Sequence, residues 1–356
     1  MHSINKKIII IGAGLTGLSL AYQLKKKGFD YLILEARARV GGRIHTLYAD
    51  ALAPLEMGAT WLGAKHSLLN ETLQELQLGT FIQELGKQAI YEALSLSPPQ
   101  VVNLPLNTDP SFRIQGGSSQ LIQAFAERLD EYKIHLNQRV TDIIENADGV
   151  LVKTKEEAHQ VDVVVSTLPP YLLVNNIVAT PDLPADFLAV AKCTHTWMGE
   201  SIKIALTYET PFWRRAGSSG TIFSNVGPIP EMYDHSNFED DRYALKGFLN
   251  GGYFSLSKSE RLDLILGQLK KYYGDQAQNY LSYEETVWRN EPDTFADYEE
   301  HLLPHQNNGH EVFKKPLMNN KCYVAGSETA SAFPGYMEGA LHSAQDVLHQ
   351  ILNTYA

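Results

Sequence analysis

The sequence predicts an α/β fold in two domains: a parallel-sheet domain assembled from discontinuous segments, and a mixed-sheet domain inserted between them. Three observations predict it. First, Ile8–Ile11 is a continuous apolar run, as expected of a parallel strand covered on both faces. It leads into Gly12-Ala-Gly14-Leu-Thr-Gly17 and then an apolar stripe at Leu18, Ala21, Tyr22 and Leu24 with helical spacing. Second, the other end of the chain repeats the theme. The apolar stretch Cys322-Tyr-Val-Ala delivers Gly326, Ser327 and Glu328 to a turn, a second turn carries Tyr336, and a helix opens near Met337 and runs through Val347 and Ile351. Third, residues 194–284 change character, with aromatic strand-forming runs at Ser201–Tyr208, Gly220–Ser224 and Tyr243–Leu249 ahead of an amphipathic helix from Lys258 to Tyr273.

Between these landmarks, Gly28 stops the first helix and Tyr31–Leu34 is the next buried strand, ending at Glu35. The segment Leu55-Glu-Met-Gly58-Ala-Thr-Trp61 reads as a strand passing into a turn. Residues 67–82 predict a helix, with Leu68, Leu69, Leu73, Leu76 and Leu78 spaced for one face. Prolines at 98, 99, 105 and 110 break the strand-like pieces of 86–112, and Gly116-Gly117-Ser opens a helix over 118–129. Short strands follow at 133–136, 140–145, 149–153 and 161–166, the last ended by Thr167-Leu-Pro-Pro. The boundaries expected are 1–80, 111–193 and 285–356 for the parallel-sheet domain, and 81–110 with 194–284 for the inserted one.

With 356 residues the chain is long enough for two cores. Its net charge of -11 excludes the basic footprint of a nucleic-acid binder. No apolar run approaches the roughly 18 residues of a membrane span, and the first residues run straight into a strand, leaving no room for a signal peptide. Cys193 and Cys322 lie far apart and are expected to be reduced thiols. The expectation is a cytoplasmic protein without nucleic-acid or membrane partners, for which a homodimer is an open alternative. His301 and His305 straddle Pro304, so a loop rather than a metal site is expected there.

The chemistry begins at the first glycine turn. Gly12 makes the bend, Gly14 lets a pyrophosphate approach the backbone, and Gly17 allows close helix packing, while Glu35 would accept hydrogen bonds from ribose hydroxyls. By itself this pattern suits NAD and FAD equally. Arg39-Val-Gly-Gly-Arg43 adds guanidinium groups that can grip a pyrophosphate with two parallel hydrogen bonds, and either Arg37 or Arg43 could fold over it. A helix start near Met337 offers free N–H groups to the same ligand. Two cofactor-shaped elements at opposite ends therefore imply one ligand gripped by both. Lys203, in an otherwise apolar run, needs a polar partner if buried.

These motifs resemble those of the flavin-containing amine oxidases, the monoamine oxidase family. The resemblance rests on Glu35-Ala-Arg-Ala-Arg-Val-Gly-Gly-Arg43, the Gly116-Gly117-Ser turn, Val163-Val-Val-Ser-Thr-Leu-Pro-Pro170, Pro211-Phe-Trp-Arg-Arg and Gly335-Tyr-Met-Glu-Gly339, in the family's order along nearly the whole chain. It implies a Rossmann-like FAD-binding domain and an inserted substrate domain. It implies FAD contacts at Gly12, Ala13, Gly14, Thr16, Gly17, Glu35, Ala36, Arg37, Gly42 and Arg43, and at Gly58, Ala59, Thr60 and Trp61. Val140, Ser327, Glu328 and Met337 complete that set. Lys203 matches the lysine that holds a water against the flavin, and Trp288 matches the family's tryptophan. Tyr336 and, ten residues after Trp288, Tyr298 match the two walls of an aromatic cage, with Phe295 as the fallback for the second. Phe248 is a candidate substrate contact.

The implied activity is oxidation of a neutral small-molecule amine to an imine, with O2 as acceptor. Hydrolysis then yields an aldehyde or ketone, ammonia or an amine, with H2O2 formed alongside. Where the membrane-bound members carry a cysteine bonded to flavin, this chain has Asp297, so FAD is expected to be held without a covalent bond. The region before Gly116 is short, which removes several pocket residues of the larger oxidases. Two further readings share the fold: a C–C desaturase or dehydrogenase of the protoporphyrinogen or carotenoid kind, and a flavin-binding protein without catalysis.

Overall fold

Residues 6–217 and 219–355 are described by a computed structural model. At its centre lies a parallel sheet of five strands, in the order Cys322–Val324, Val163–Ser166, Lys7–Ile11, Asp30–Leu34 and Ile134–His135. Alternation along Ile8–Ile11 explains why that run carries no polar residue. Ile8 and Ile10 pack with the helices Leu15–Lys26, Ser119–Arg128 and Met337–Tyr355, whereas Ile9 and Ile11 pack on the other face with Val150, Val152 and Phe187. Burying both faces in this way is the ordinary condition of a parallel strand. The strand register Ile9↔Val164 and Ile9↔Leu32 brings the carboxyl ends of the inner strands to one edge.

A four-stranded sheet (Ala158–Val161, Gly149–Thr154, Val140–Asn146 and Val178–Thr180) covers that second face. A third sheet has seven strands, in the order Tyr280–Val287, Ile202–Tyr208, Tyr243–Leu249, Glu231–Asp234, Ile222–Ser224, Gln88–Glu92 and Gln100–Asn103. Its outer face is closed by the helix Lys258–Tyr273, which starts at a capping box formed by Ser257 and Glu260. Ile202, Ile204 and Leu206 point into that helix-covered core with Ile265 and Leu269. The alternate residues Lys203 and Ala205 therefore face the opposite way, where Ala205 and Ala244 meet Leu55 and Met57. That period-2 alternation aims Lys203 at the half of the molecule that carries the parallel sheet.

Two expectations need correction. The helix expected over 67–82 ends at Glu75: Gln77 takes a positive φ of 61°, and Thr80–Ile82 pairs antiparallel with Phe112–Ile114. Leu76 and Leu78 fit the helical spacing, but Gly79 favours the turn that reverses the chain into a strand. The strand Tyr280–Val287 was not anticipated, and it runs unbroken through the boundary expected between residues 284 and 285. Among the described residues, no helix is long and apolar enough to cross a membrane, and no cluster of His, Cys, Asp and Glu could hold a metal ion.

Candidate active site

A cleft of about 450 Å³ runs along the carboxyl edge of the parallel sheet and continues beneath the seven-stranded sheet. In open α/β sheets this edge is where ligands bind. Its nucleotide-side wall carries Gly12, Gly14, Thr16, Glu35, Ala36, Arg37, Gly42, Arg43 and Val140. Ser327, Met337 and Ala340 come from the last segment of the chain, and Gly58, Ala59, Thr60 and Trp61 from the second turn. At the far end stand Lys203, Phe248, Trp288 and Tyr336. Four expected contacts do not line the cleft: Ala13, Gly17, Glu328 and Tyr298.

Three of those four support the wall from behind. The Ala13 N–H donates to Glu35 Oε2 at 2.7 Å, and the Arg37 N–H donates to Oε1 at 2.9 Å, so the Glu35 carboxylate locks the first turn to the end of the second strand. At Gly17 an added Cβ would lie 2.0 Å from the Gly12 carbonyl oxygen, so only glycine lets the helix start this close to the turn. Gly14, by contrast, has open space where a Cβ would sit, and the helix it precedes has no side-chain cap. Those free N–H groups with open space in front form an anion cradle of the kind a pyrophosphate fills.

Glu328, fully buried, is the third. It accepts two hydrogen bonds from Arg43, Nη1 to Oε1 at 2.5 Å and Nη2 to Oε2 at 2.8 Å, plus one from the Trp197 N–H at 3.1 Å. Burial alone would raise its pKa, but the Arg43 charge and hydrogen bonds outweigh it and hold the carboxyl below its usual range. One ion pair thus joins the segment after the second strand to the segment before the last helix. Arg37 is spent otherwise: its guanidinium donates to Thr294 Oγ1 at 2.6 Å and reaches the Asp293 carbonyl at 3.4 Å.

Tyr298 does not reach the cleft. Its hydroxyl accepts the Thr196 N–H at 2.9 Å, and its ring packs between Tyr171 at 4.9 Å and Phe295 at 5.2 Å, where burial pushes its phenol up to about 12. Phe295, the fallback, is also buried outside the cleft. The cleft-lining aromatic beside Tyr336 is Trp197, whose ring lies 6.2 Å from Tyr336 and is stacked on His305 at 3.7 Å. Counting from Trp288 picked out the residue that holds Thr196, one position before the tryptophan that faces the cleft. Nothing in the sequence around Thr196-Trp-Met marks Trp197, because its placement depends on the Arg43–Glu328 pair, which takes both its N–H and its carbonyl.

At the substrate-side end, Lys203 Nζ donates to the Gly58 carbonyl and lies 4.9 Å from the Phe248 ring. Burial pushes its pKa down to about 8, against the pull of Glu56. Trp288 is fixed by its indole N–H on the Met57 carbonyl at 2.8 Å. Glu231, opposite Phe248 in the strand register and hydrogen-bonded by the Tyr233 hydroxyl at 3.0 Å, puts a carboxylate into the same end of the cleft.

A glycine cradle, an acidic residue closing the second strand and a ligand cleft at the sheet's carboxyl edge make a site of the kind that takes a nucleotide cofactor. The comparisons narrow this. The family model described as flavin containing amine oxidoreductase matches residues 15–95 and 89–352, and the chain belongs to that family. It is 24% identical to a probable flavin-containing monoamine oxidase A of Dictyostelium discoideum, over 98% of both chains. It is 24% identical to polyamine oxidase 4 of Oryza sativa subsp. japonica, over 94% of this chain and 86% of that one. Among solved structures, putrescine oxidase bound to putrescine superposes with a TM-score of 0.85 at 24% identity, covering 98% of this chain and 99% of that one. Cyclohexylamine oxidase from Brevibacterium oxydans matches with the same TM-score of 0.85 at 19% identity and the same coverage. These two likenesses establish the shared fold.

Proposed function

We propose that this chain is an FAD-dependent amine oxidase that holds its flavin without a covalent bond. The observation that carries the reading is the continuity of one cleft from Glu35, past Gly14 and Arg43, to Lys203, Trp197 and Tyr336. A cofactor with a nucleotide at one end and a reactive ring at the other fits a cleft built that way. Gly12, Gly14, Thr16 and the exposed edge of Arg43 would hold the pyrophosphate, Glu35 the ribose, and the Gly58–Trp61 turn with Met337 the ring. Asp297, largely exposed and paired with Arg289, supplies no sulfur for a flavin bond.

Bound FAD would supply the redox chemistry, taking a hydride equivalent from the α-carbon of an amine and passing two electrons to O2. The imine is then hydrolysed by water to a carbonyl compound and ammonia or an amine. The protein's part is placement and charge control. Trp197 and Tyr336 present aromatic faces that attract an amine nitrogen and exclude water beside it. Lys203, held on the Gly58 carbonyl, fixes a proton-bearing nitrogen at the ring end of the cleft. Glu231 supplies a negative charge beyond Phe248, which favours an amine with a second cationic group over a simple monoamine.

The test is anaerobic mixing of the flavin-loaded protein with a panel of monoamines, secondary amines and diamines, followed by flavin absorbance. Bleaching by an amine, fastest with diamines, and recovery on admitting air with H2O2 formed is the expected result. A flavin that no amine bleaches refutes amine oxidation.

A further inference from the structure

A second lysine lies beneath the cleft and has no part in the scheme above. Lys246 is fully buried. It sits on the strand Tyr243–Leu249, opposite Ala205, while Lys203 sits opposite Phe248. The two lysines are therefore diagonal neighbours on one face of an antiparallel pair, within reach of each other as long side chains are. They end on the same turn: Lys203 Nζ donates to the Gly58 carbonyl, and Lys246 Nζ donates to Thr60 Oγ1. Both nitrogens lie over the Trp61 ring, at 5.8 Å and 4.4 Å from its centroid.

Two ammonium groups cannot share so dry a space. The charged and titratable groups around them are Glu56 from the preceding strand, Arg113 from Phe112–Ile114, His235 beyond Glu231–Asp234, and Glu231, which faces Lys203. Glu56 is the carboxylate that acts on both lysines, and it is already engaged by the Ser118 N–H and hydroxyl. Glu56 and Glu231 against two lysines and a buried guanidinium leave an excess of positive charge, which favours losing a proton, and the side chain furthest from solvent is the one to lose it.

We propose that Lys203 and Lys246 hold a single ammonium proton between them, with Lys246 a neutral amine that accepts a hydrogen bond from Lys203. Lys246 is then a positioning residue: it fixes the orientation and charge of the lysine that faces the cleft, and through it the charge presented to a ligand there. Thr60 completes the arrangement by accepting from Lys246, leaving the Lys246 lone pair for Lys203. The arrangement deepens the cleft's assignment as the reactive end but concerns only the protein's own groups.

The test is NMR of protein labelled with ¹⁵N at the lysine side-chain nitrogens, titrated from pH 6 to 11 with and without FAD, the two signals being assigned by their loss in K203M and K246M. At neutral pH, the expected spectrum shows Lys203 as an ammonium and Lys246 as an amine. Removing the acceptor in K246M should lower the Lys203 midpoint by about one pH unit, the worth of one hydrogen bond to a charged group. K246Q, whose amide oxygen can accept in place of the amine, should restore most of it. In K203M, Lys246 should gain a proton at neutral pH. A Lys203 midpoint that rises in K246M means that Lys246 is itself charged, and one that does not move means that the two are independent; either overturns the proposal. Because the titration needs no substrate, it is decided separately from whether the protein oxidises amines.

Discussion

The Arg43–Glu328 pair offers the sharpest energetic test, because it ties the two ends of the chain across the cleft. Glu328 is fully buried and Arg43 is about a quarter exposed, with its side chain at 27%. Removing one member of a buried pair strands the other, at a cost of about 3–5 kcal/mol. Solvent reaches Arg43, so E328Q should fall below that range, at about 2 kcal/mol. R43M leaves Glu328 with neutral donors such as the Ser327 hydroxyl and the Trp197 N–H, and should cost about 3–4 kcal/mol. The double variant leaves no charge stranded, so it should be less destabilised than the sum by about 2 kcal/mol. Urea unfolding of the flavin-free protein, followed by tryptophan fluorescence at pH 7.5, measures all four corners. The pH dependence adds a sign. In the native protein the carboxyl titrates below its unfolded value, so its stabilisation is present above the unfolded pKa and is lost as acid takes pH through the folded one. In R43M the stranded carboxyl titrates high, so stability should instead rise as pH falls from 7 toward 5. Additive costs, within about 0.5 kcal/mol, would refute the claim that this contact joins the two ends.

Other substitutions probe the remaining walls. G17A puts a methyl 2.0 Å from the Gly12 carbonyl oxygen, so the turn must open; a large fall in Tm and loss of FAD uptake are expected. E35Q should fold yet bind FAD about 10–100-fold more weakly, the worth of one hydrogen bond to a charged acceptor, as read by isothermal titration. Lys203 titrates near 8 against a usual 10.5, so the unfolded chain binds more protons between those values and stability rises with pH across that window. K203M should reduce that rise, leaving only the part that buried Lys246 contributes, shown by chemical unfolding at pH 7.5 and 10.5. E231Q should raise KM for a diamine about tenfold or more while leaving a monoamine unaffected, in stopped-flow reduction assays.

The nucleotide half was legible because each local signal agrees with its neighbours. A both-faces-buried strand, a glycine turn and a helical stripe admit few alternatives, and Gly17 is required by a backbone contact that no other residue permits. Lys203 could be read too, since a lysine in an apolar run must find a polar partner, and it does so on Gly58. The aromatic lining of the cleft was legible only in part. Tyr336 lies beside the start of the final helix, whose position is fixed locally. Tyr298 lies ten residues beyond Trp288 in a loop whose course is set by contacts with 194–200, and such contacts leave no periodic trace. For the same reason Trp197 went unseen, and the strand Tyr280–Val287, half-buried at a sheet edge, carries too weak an alternation to stand out.

The central claim is that the first glycine turn and the last helix grip one flavin. Purified recombinant protein incubated with FAD, desalted and denatured in acid measures this directly. A yellow protein carrying about one flavin per chain is expected, with all of the flavin released to the supernatant on denaturation, as a non-covalent cofactor must be. A colourless protein that takes up no FAD would contradict it, and so would flavin that stays with the precipitated chain.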